Sequence, residues 1–298
     1  QQDVGSAPCR GGSGGHLSPV GSPAELGEAE LRAWVEVLLV GGVYFVYSMA
    51  RNWFGSAAVE PEIAARNADH VIAVEEAMGL YFEPSLQAKF IDMTRFVQFW
   101  NLFYSSLHFL VTFGVLIWLY RRWPDDFRFW RRAGLIATVS AVVGFAAFPL
   151  MPPRLLGDCG AYGACRADVT YVDTMVELGG IWSFESSTLA SISNQYAAMP
   201  SLHIAWAIWC ALVLVPRVQR TWAKLLAVAY PPLTLFAIVV TANHYWIDGV
   251  GGVAIVAFGY GASWFYTRVT NRTPVTAKPE RYDSGADDFG TSVDSGVT

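Results

Sequence analysis

The sequence has little charge. Asp, Glu, Lys and Arg make up only 15% of its 298 residues, whereas 53% of the residues are hydrophobic. The mean hydropathy is +0.33, which is too apolar for an ordinary soluble domain of this length. The net charge is −5, and the arginines cluster only in short stretches between apolar runs, so no nucleic-acid partner is expected. The composition therefore predicts an integral membrane protein.

Cysteines and cofactor motifs are also scarce. Four cysteines are too few for a disulfide scaffold, although Cys159 and Cys165 lie in one polar loop and are able to pair if that loop faces an oxidising compartment. A glycine-rich phosphate loop and the Asp-rich motif of intramembrane prenyltransferases are both absent from the sequence. Nothing in the sequence requires a metal ion or an organic cofactor.

The two ends of the chain are polar. Residues 1–23 are rich in Gly, Ser and Pro, without the basic start and apolar centre of a signal peptide. The residues after Asn271 are polar and acidic. We expect disordered cytoplasmic tails over residues 1–30 and 271–298, and one membrane domain over residues 31–270.

Six apolar stretches are long enough, or nearly long enough, to cross a bilayer as helices. They cover residues 33–50, 99–120, 133–150, 202–215, 222–241 and 245–266. The fourth stretch is short, so its helix is expected to begin earlier, near Ala197. The sequence thus predicts an all-α fold, a polytopic six-helix transmembrane bundle.

Positive charge predicts the orientation of this bundle, because loops rich in Lys and Arg remain in the cytoplasm. Such residues cluster in the second and fourth connections and after the last stretch: Arg121, Arg122, Arg128, Arg131, Arg132, Arg217, Arg220, Lys224, Arg268 and Arg272. Both termini are therefore expected in the cytoplasm of an integral cell-membrane protein. Loops 51–98 and 151–199 are expected on the extracytoplasmic side.

The first outer loop contains a further helical pattern, which starts at Pro61. Its apolar stripe consists of Ile63, Val71, Val74 and Met78. We expect an extra interfacial helix here, lying along the membrane surface between the first and second spans; a helix packed on the outer ends of the bundle is the alternative. His70 and Glu75 are expected to be solvated.

Three polar clusters fall on the predicted outer side, so they are able to meet in one site. Arg154 follows Pro152 and Pro153, and its guanidinium suits a phosphate, although an arginine that snorkels to lipid headgroups would give the same pattern. The second cluster, residues 199–203, begins a helix. Free backbone N–H groups and the Ser201 hydroxyl would hold an anion there beside His203, and an ordinary serine cap is the alternative.

The third cluster, residues 243–248, places His244 and Asp248 on one helix face, because they are four residues apart. A carboxylate inside a membrane helix normally has a partner. If Asp248 accepts the Nδ1 hydrogen of His244, the other ring nitrogen keeps its lone pair outward, as a nucleophile requires. Gly249, Gly251 and Gly252 follow, and they permit close packing against a neighbouring helix.

Together and in order, these clusters resemble the motifs of the type-2 phosphatidic acid phosphatase superfamily, and specifically its inositol phosphorylceramide synthase-like (inositolphosphotransferase-like) branch. The resemblance covers about residues 98–266. The matching residues are Arg154, Pro200, Ser201, Leu202, His203, His244 and Asp248. The resemblance implies that His244 attacks phosphorus, Asp248 orients it, and His203 protonates the leaving oxygen. It also implies that Arg154 and Ser201 hold the phosphoryl oxygens, and that water or an alcohol resolves the phosphohistidine.

The chain departs from the superfamily pattern at two cations. The pattern expects a lysine seven residues before the motif arginine and an arginine six residues before the nucleophile, where this chain has Ala147 and Ile238. A dianionic phosphomonoester would lose charge compensation without them, whereas a phosphodiester carries a single negative charge. Leu202, in place of the usual glycine, also points to the synthase-like branch.

Further polar residues are candidates for contacts with the substrate or its head group: Gln98, Asn101, Tyr104, His108, Asn194, Gln195, Tyr196, Asn243 and Tyr245. The first four recur at three- and four-residue spacing, so they line one helix face directed to the bundle interior. Hydrogen bonds that tie helices together would explain such a face equally well.

The leading hypothesis is a metal-independent lipid phosphatase or phosphotransferase, whose partners are a membrane lipid and a polyol or other alcohol acceptor. A simple lipid-phosphate or polyprenyl-phosphate phosphatase differs from it only in using water. Two other classes stay open: a zinc site formed by His203, His244 and Asp248, and a non-catalytic lipid transporter or scaffold. The sequence does not define the oligomeric state.

Overall fold

The computed structural model describes residues 34–42, 45, 49, 60–157, 170–178 and 195–270. Several predicted features lie outside these residues: the two tails, the Cys159–Cys165 pair, Asn194 and much of the first span.

The described part of the chain is mostly helical and contains no strand. The helices are α1 (Pro61–Ala77), α2 (Glu83–Phe90), α3 (Thr94–Arg122), α4 (Pro124–Ala147), α5 (Thr174–Glu177), α6 (Leu202–Leu214), α7 (Thr221–Val240) and α8 (Trp246–Thr270). Residues 34–42 are helical as well. Within α3, residues Phe103–Leu107 form a π-helical turn, a local widening of the helix that is frequent at functional sites.

Three described helices are long and apolar enough to span a bilayer, namely α3 with 29 residues, α7 with 20 and α8 with 25. They indicate a membrane protein. α6 is apolar but has only 13 residues. α4 has 24 residues, but charged side chains occupy its first part as far as Arg132. The described residues thus contain three candidate spans, fewer than the six that the sequence pattern predicts.

The helices α4, α6 and α8 pack closely in the middle of the bundle. The backbone of α8 approaches α4 at Gly259, where an added Cβ would lie 2.4 Å from the carbonyl oxygen of Ala133. The indole of Trp206 on α6 donates to the hydroxyl of Thr138 on α4 at 3.1 Å. Small residues at such contacts let membrane helices approach each other, and van der Waals packing then holds them together.

One end of the bundle carries most of the described arginines. Arg217, which follows α6, donates to Asp126 at the start of α4 at 2.5 Å, and Arg132 donates to Thr267 near the end of α8 at 2.8 Å. Arg131 pairs with Glu36 of the N-terminal helical residues. The opposite end holds the end of α4 and the starts of α6 and α8.

Helix α1 packs across that opposite end, against the chain at residues 150–156 and Tyr245. Of the four residues of its predicted apolar stripe only Val71 is buried, while Val74 is 48% exposed and Met78 46%. The buried face is instead built on two small residues, Ala64 and Ala68, together with Ile72 and Glu75. Small side chains allow a close helix contact that the hydrophobic pattern does not reveal.

Two expectations about single residues meet different outcomes. His70 is exposed, as expected, but Glu75 is fully buried and its prediction as a solvated residue is wrong. The expected early start of the fourth helix near Ala197 is also wrong. Ala197 forms a parallel bridge with Leu150, and Pro200 disfavours helical geometry in the preceding residue, so α6 begins at Leu202.

Candidate active site

Main-chain hydrogen bonds connect residues in or next to the three polar clusters, which lie opposite the arginine-rich end of the bundle. The N–H of Leu150 donates to the carbonyl of Tyr196 at 2.8 Å, and the N–H of Arg154 donates to the carbonyl of Ala242 at 2.8 Å. The N–H of Ser201 donates to the carbonyl of Asp248 at 3.0 Å. Each cluster is thus connected to the others by its backbone.

A polar cavity of about 100 Å³ lies between these segments. It is lined by Tyr104, Phe145, Pro152, Arg154, Gln195, Ala197, Ala198, Leu202, His203, Asn243 and His244. Arg154, His203 and His244 come from three different clusters, so the structure brings a residue of each predicted motif to one cavity. Asn243 and Gln195, two candidate substrate contacts, also line it.

His244 and Asp248 form a buried pair at the start of α8. The Nδ1 atom of His244 lies 3.1 Å from Oδ2 of Asp248, and the same carboxylate oxygen accepts the backbone N–H of Tyr245 at 3.1 Å. Asp248 is fully buried. An imidazole whose Nδ1–H is donated to a carboxylate presents the lone pair of Nε2 for reaction.

His203 lies across the cavity from His244, with the two ring centroids 5.6 Å apart. Its ring stacks on Tyr104 at 4.3 Å, and the His108 ring is 4.7 Å away. Tyr104 belongs to the π-helical turn of α3, and His108 follows that turn directly. The irregular turn therefore supplies the aromatic surface that holds the His203 ring.

Arg154 is held by a residue that the sequence did not indicate. Its guanidinium donates to Oδ2 of Asp173 at 2.5 Å and to Oε1 of Gln195 at 2.8 Å. The other oxygen of Asp173 accepts N–H groups of Met175 and Val176, the usual arrangement at the start of a short helix. The sequence signal at Asp173 is an acid followed by a helical turn, which predicts a helix cap. It does not predict the pairing of Asp173 with an arginine 19 residues away.

Ser201 lies beside the cavity but does not line it. The side chain is fully buried, its hydroxyl has no hydrogen-bond partner among the described residues, and its N–H is taken by Asp248. The N–H of Ser201 is therefore not available to an anion in this conformation. The hydroxyl has a hydrogen-bonding capacity that the surrounding described residues leave unused.

The predicted polar face of α3 divides into two parts. Gln98 donates to the carbonyl of Leu178 at 2.8 Å, and Asn101 exchanges hydrogen bonds with Thr174 at 2.9 Å, so this half ties α3 to the segment at residues 170–178. Tyr104 lines the cavity. His108 is buried behind it, with Nδ1 3.1 Å from the hydroxyl of Tyr230.

Two other candidate contacts do not line the cavity. Tyr196 is buried, and its carbonyl accepts the N–H of Leu150. Tyr245 is fully buried, and its hydroxyl donates to the carbonyl of Met151 at 3.1 Å. Both side chains belong to the hydrophobic cluster that α1 forms with residues 150–156, next to the cavity.

The two expected cations are absent from the cavity wall. Ala147 is exposed at the end of α4, and Ile238 is buried, with its carbonyl accepting the N–H groups of Asn243 and His244. Of the described residues around the cavity, Arg154 alone carries a permanent positive charge. The described wall of the cavity therefore has one permanent cation, and Asp173 neutralises part of its charge.

The zinc alternative finds little support in the arrangement of side chains. Within the described ranges, no group of three or more His, Cys, Asp or Glu is placed to hold a metal ion. Asp248 accepts a hydrogen bond from His244, so the two side chains are directed at each other.

The glycines that follow Asp248 are in close contact with the start of α6, as the sequence indicated. A Cβ added to Gly252 would lie 2.6 Å from the carbonyl oxygen of Ser201. Gly252→Ala is therefore expected to push α6 away from α8, to lower the free energy of unfolding by about 1–3 kcal/mol, and to reduce turnover. Thermal unfolding in detergent and a turnover assay measure the two effects.

Gly261→Ala is the matched control, because an added Cβ there meets nothing within 4 Å on the same helix. Equal losses in the two variants would show that helix flexibility matters, rather than the contact with Ser201.

Comparison with known proteins identifies the family of the chain. A model of the PAP2 superfamily matches residues 69–262, which is more than half of the chain and includes Arg154, His203, His244 and Asp248. Comparisons with curated proteins and with solved structures gave no match.

Proposed function

The chain belongs to the PAP2 superfamily, and we propose that it is a membrane enzyme that transfers a phosphoryl-bearing head group from a lipid phosphodiester to an alcohol, through a phosphohistidine at His244. Members of this superfamily are generally phosphatases, so family membership indicates a lipid phosphatase-type enzyme. Transfer to an alcohol, the extracytoplasmic location and the substrate class are the proposed part.

The observation that carries the proposal is the buried His244–Asp248 pair, which faces Arg154 and His203 across one polar cavity. A histidine nucleophile needs an acceptor for its Nδ1 hydrogen, a cation for the phosphoryl oxygens and an acid for the leaving group. All three types of group line or adjoin this cavity.

The reaction is written in two balanced steps. The Nε2 atom of His244 attacks phosphorus, the bond from phosphorus to the lipid oxygen breaks, and His203 gives its proton to that oxygen. An alcohol then attacks the phosphohistidine, the P–N bond breaks, and His203 accepts the proton of the alcohol. Asp248 holds the Nδ1 hydrogen of His244 in both steps, and Arg154 binds the phosphoryl oxygens.

The charge of the cavity supports a diester over a monoester. Arg154 is its one permanent cation among the described lining residues, and that guanidinium already pairs with Asp173 at 2.5 Å. A dianionic monoester would therefore be poorly compensated, whereas a monoanionic diester needs only one positive group.

The orientation of the protein is supported by the same structure. The cavity lies at the end of the bundle opposite Arg132 and Arg217, and arginine-rich ends of membrane helices face the cytoplasm. We therefore propose the six-span topology with cytoplasmic termini and an extracytoplasmic site. Turnover of a labelled lipid confined to the outer leaflet of intact cells tests this location.

The test of function uses the purified protein and labelled lipids. A phosphatidate and a lipid phosphodiester are each supplied with and without glycerol or inositol as the alcohol. The proposal expects multiple turnovers of the diester only with an alcohol present, and the label to appear in the alcohol product. Release of inorganic phosphate from the phosphatidate alone would identify a simple phosphatase, and lipid binding without turnover would favour a transporter or scaffold.

Asp173→Asn tests the charge argument. Removing this carboxylate leaves the Arg154 charge uncompensated while Gln195 still holds the guanidinium. The ratio of kcat/KM for the monoester to that for the diester is expected to rise by about tenfold. Glu177→Gln, at an exposed acid on the same short helix, is the matched control. An equal loss on both substrates would mean that Asp173 only orients Arg154.

A further inference from the structure

Two glutamates that play no part in the proposed reaction contact the start of α8, close to the His244–Asp248 pair. Glu75 is in the last turn of α1 and Glu83 is the first residue of α2, and both are fully buried. Among the described residues, neither forms an ion pair with Lys or Arg. Buried carboxyl groups of this kind are rare unless they are paired, so they require a physical explanation.

Both glutamates bind the start of α8. Oε1 of Glu83 accepts the N–H of Trp246 at 3.1 Å, and Oε1 of Glu75 accepts the N–H of Ile247 at 3.3 Å. The preceding N–H, that of Tyr245, goes to Asp248. The first N–H groups of a helix have no acceptor within it, and they carry partial positive charge. Three consecutive N–H groups therefore bind three different carboxyl groups.

The two glutamates differ in their remaining oxygens. Oε2 of Glu83 accepts the N–H of Phe82 at 2.9 Å, so both of its oxygens are engaged by N–H donors. Oε2 of Glu75 is buried without a donor among the described residues, and the neighbouring group is the carboxyl of Glu83. A proton is therefore better accommodated on Glu75, whose Oε2 receives no N–H, than on Glu83, whose two oxygens both accept N–H groups.

The electrostatic environment agrees with a protonated Glu75. Burial, followed by the nearby charge of Glu83, raises the pKa of Glu75 from 4.5 to about 9, and Asp248 adds to this rise. Burial also raises the pKa of Glu83, but the N–H of Trp246 opposes that shift. Adjacent buried carboxyl groups cannot all be ionised, so one proton is retained.

We propose that Glu75 and Glu83 share one proton and act as positioning residues that fix the start of α8, and with it the His244–Asp248 pair. The proposal rests on the proposed function, in which His244 is the nucleophile. The shared proton also limits the negative charge next to Asp248.

The asymmetry of the pair gives a direct test by two conservative variants. In Glu75→Gln, the amide N–H replaces the donated proton, and its oxygen still accepts from Ile247, so kcat is expected to stay close to that of the unchanged protein. In Glu83→Gln, the amide N–H₂ must face either Trp246 N–H or Phe82 N–H, both donors. Turnover is then expected to fall by about 100-fold in kcat with little change in KM, because the nucleophile is displaced.

The pH dependence of turnover distinguishes a shared proton from a role in packing alone, because packing alone would not change it. Turnover of the unchanged protein is expected to decline as pH rises through about 9, where Glu75 ionises. The titratable groups that face the pair are Tyr81, Tyr171, Tyr245, Glu83 and Asp248. Burial raises the pKa of Tyr171 above the ordinary tyrosine value. Glu75→Gln is expected to remove the decline.

Thermal unfolding tests the shared proton without any substrate. The unfolded chain releases the Glu75 proton near pH 4.5, whereas the folded protein keeps it to about pH 9. The stabilisation that comes from this raised pKa is therefore lost as pH rises between these values, and Glu75→Gln lacks this loss. The Tm of Glu75→Gln relative to the unchanged protein is expected to increase steadily from pH 5 to pH 9.

The outcomes separate this proposal from the proposed function. A constant Tm difference across that range, or equal losses of kcat in Glu75→Gln and Glu83→Gln, would overturn the shared proton. If no lipid is turned over by the unchanged protein, the proposed function fails, and the unfolding profile still decides whether Glu75 holds the proton.

Discussion

Replacing His244 with alanine is expected to abolish turnover of every lipid substrate, with a loss of about 10⁴-fold or more. The reason is that the imidazole supplies the electron pair that forms the P–N bond, and Asp248 at 3.1 Å makes that pair available. The variant should also fail to retain label after brief incubation with a ³²P-labelled diester, because no phosphohistidine forms. Rapid acid-free quenching and gel autoradiography measure this intermediate.

His70→Ala is the matched control for this experiment, because His70 is an exposed histidine on α1 outside the cavity. It is expected to leave both turnover and the labelled intermediate unchanged. Turnover that persists in His244→Ala at the level of the control would remove the histidine mechanism, and lipid movement or binding in its place would support a transporter.

Asp248→Asn is expected to lower kcat by about 10³- to 10⁴-fold while the fold is retained. The carboxylate accepts two hydrogen bonds on one oxygen, from the Nδ1–H of His244 and from the N–H of Tyr245. An asparagine must either keep its oxygen toward Tyr245 or direct its N–H₂ to the histidine. Where the amide donates to Nδ1, the proton moves to Nε2, and the nucleophilic lone pair is lost.

The histidine tautomer is the measurement that distinguishes this effect from misfolding. ¹⁵N NMR of the labelled histidines should report an Nδ1–H imidazole for His244 in the unchanged protein and an Nε2–H imidazole in Asp248→Asn. Asp92→Asn, at an exposed acid, is the control and should alter neither the spectrum nor kcat. An unchanged His244 tautomer with full turnover would assign Asp248 to packing alone.

The catalytic part of the site could be predicted because its signals are local and ordered along the chain. His244 and Asp248 are four residues apart, which fixes their geometry within any helix, and the structure contains that pair. Charge patterning placed Arg154, His203 and His244 on one side, and all three line one cavity. The roles assigned to these residues stay predictions until activity is measured.

The residues that support the site could not be predicted, since their partners are distant in sequence. Glu75 was predicted to be a solvated side chain of an amphipathic helix. It is buried because α1 covers the start of α8, 172 residues further along the chain. Asp173 gave only the signal of a helix cap, and its second role depends on the path of the chain from Arg154. Periodicity describes which residues share a face, but not which face is covered.

Helix boundaries were the least accurate part of the prediction. The shortness of the fourth apolar stretch suggested an earlier helix start, but the segment before Leu202 is not helical, because Ala197 pairs with Leu150 and Pro200 restricts its predecessor. This non-helical segment brings Ala197, Ala198 and Gln195 to the cavity wall. A continuous helix from Ala197 would have placed Ala197 and Ala198 on a helix surface instead.

The three main-chain bonds that join the clusters have a practical consequence for capturing the natural lipid. Since Leu150, Arg154 and Ser201 donate through their backbones, replacing His244 leaves all three bonds in place. A His244→Ala protein would keep the shape of the cavity while losing the ability to consume what enters it. Such a variant is expected to retain its natural lipid during purification from the native membrane. Mass spectrometry of the lipids extracted from the purified variant would then identify that ligand.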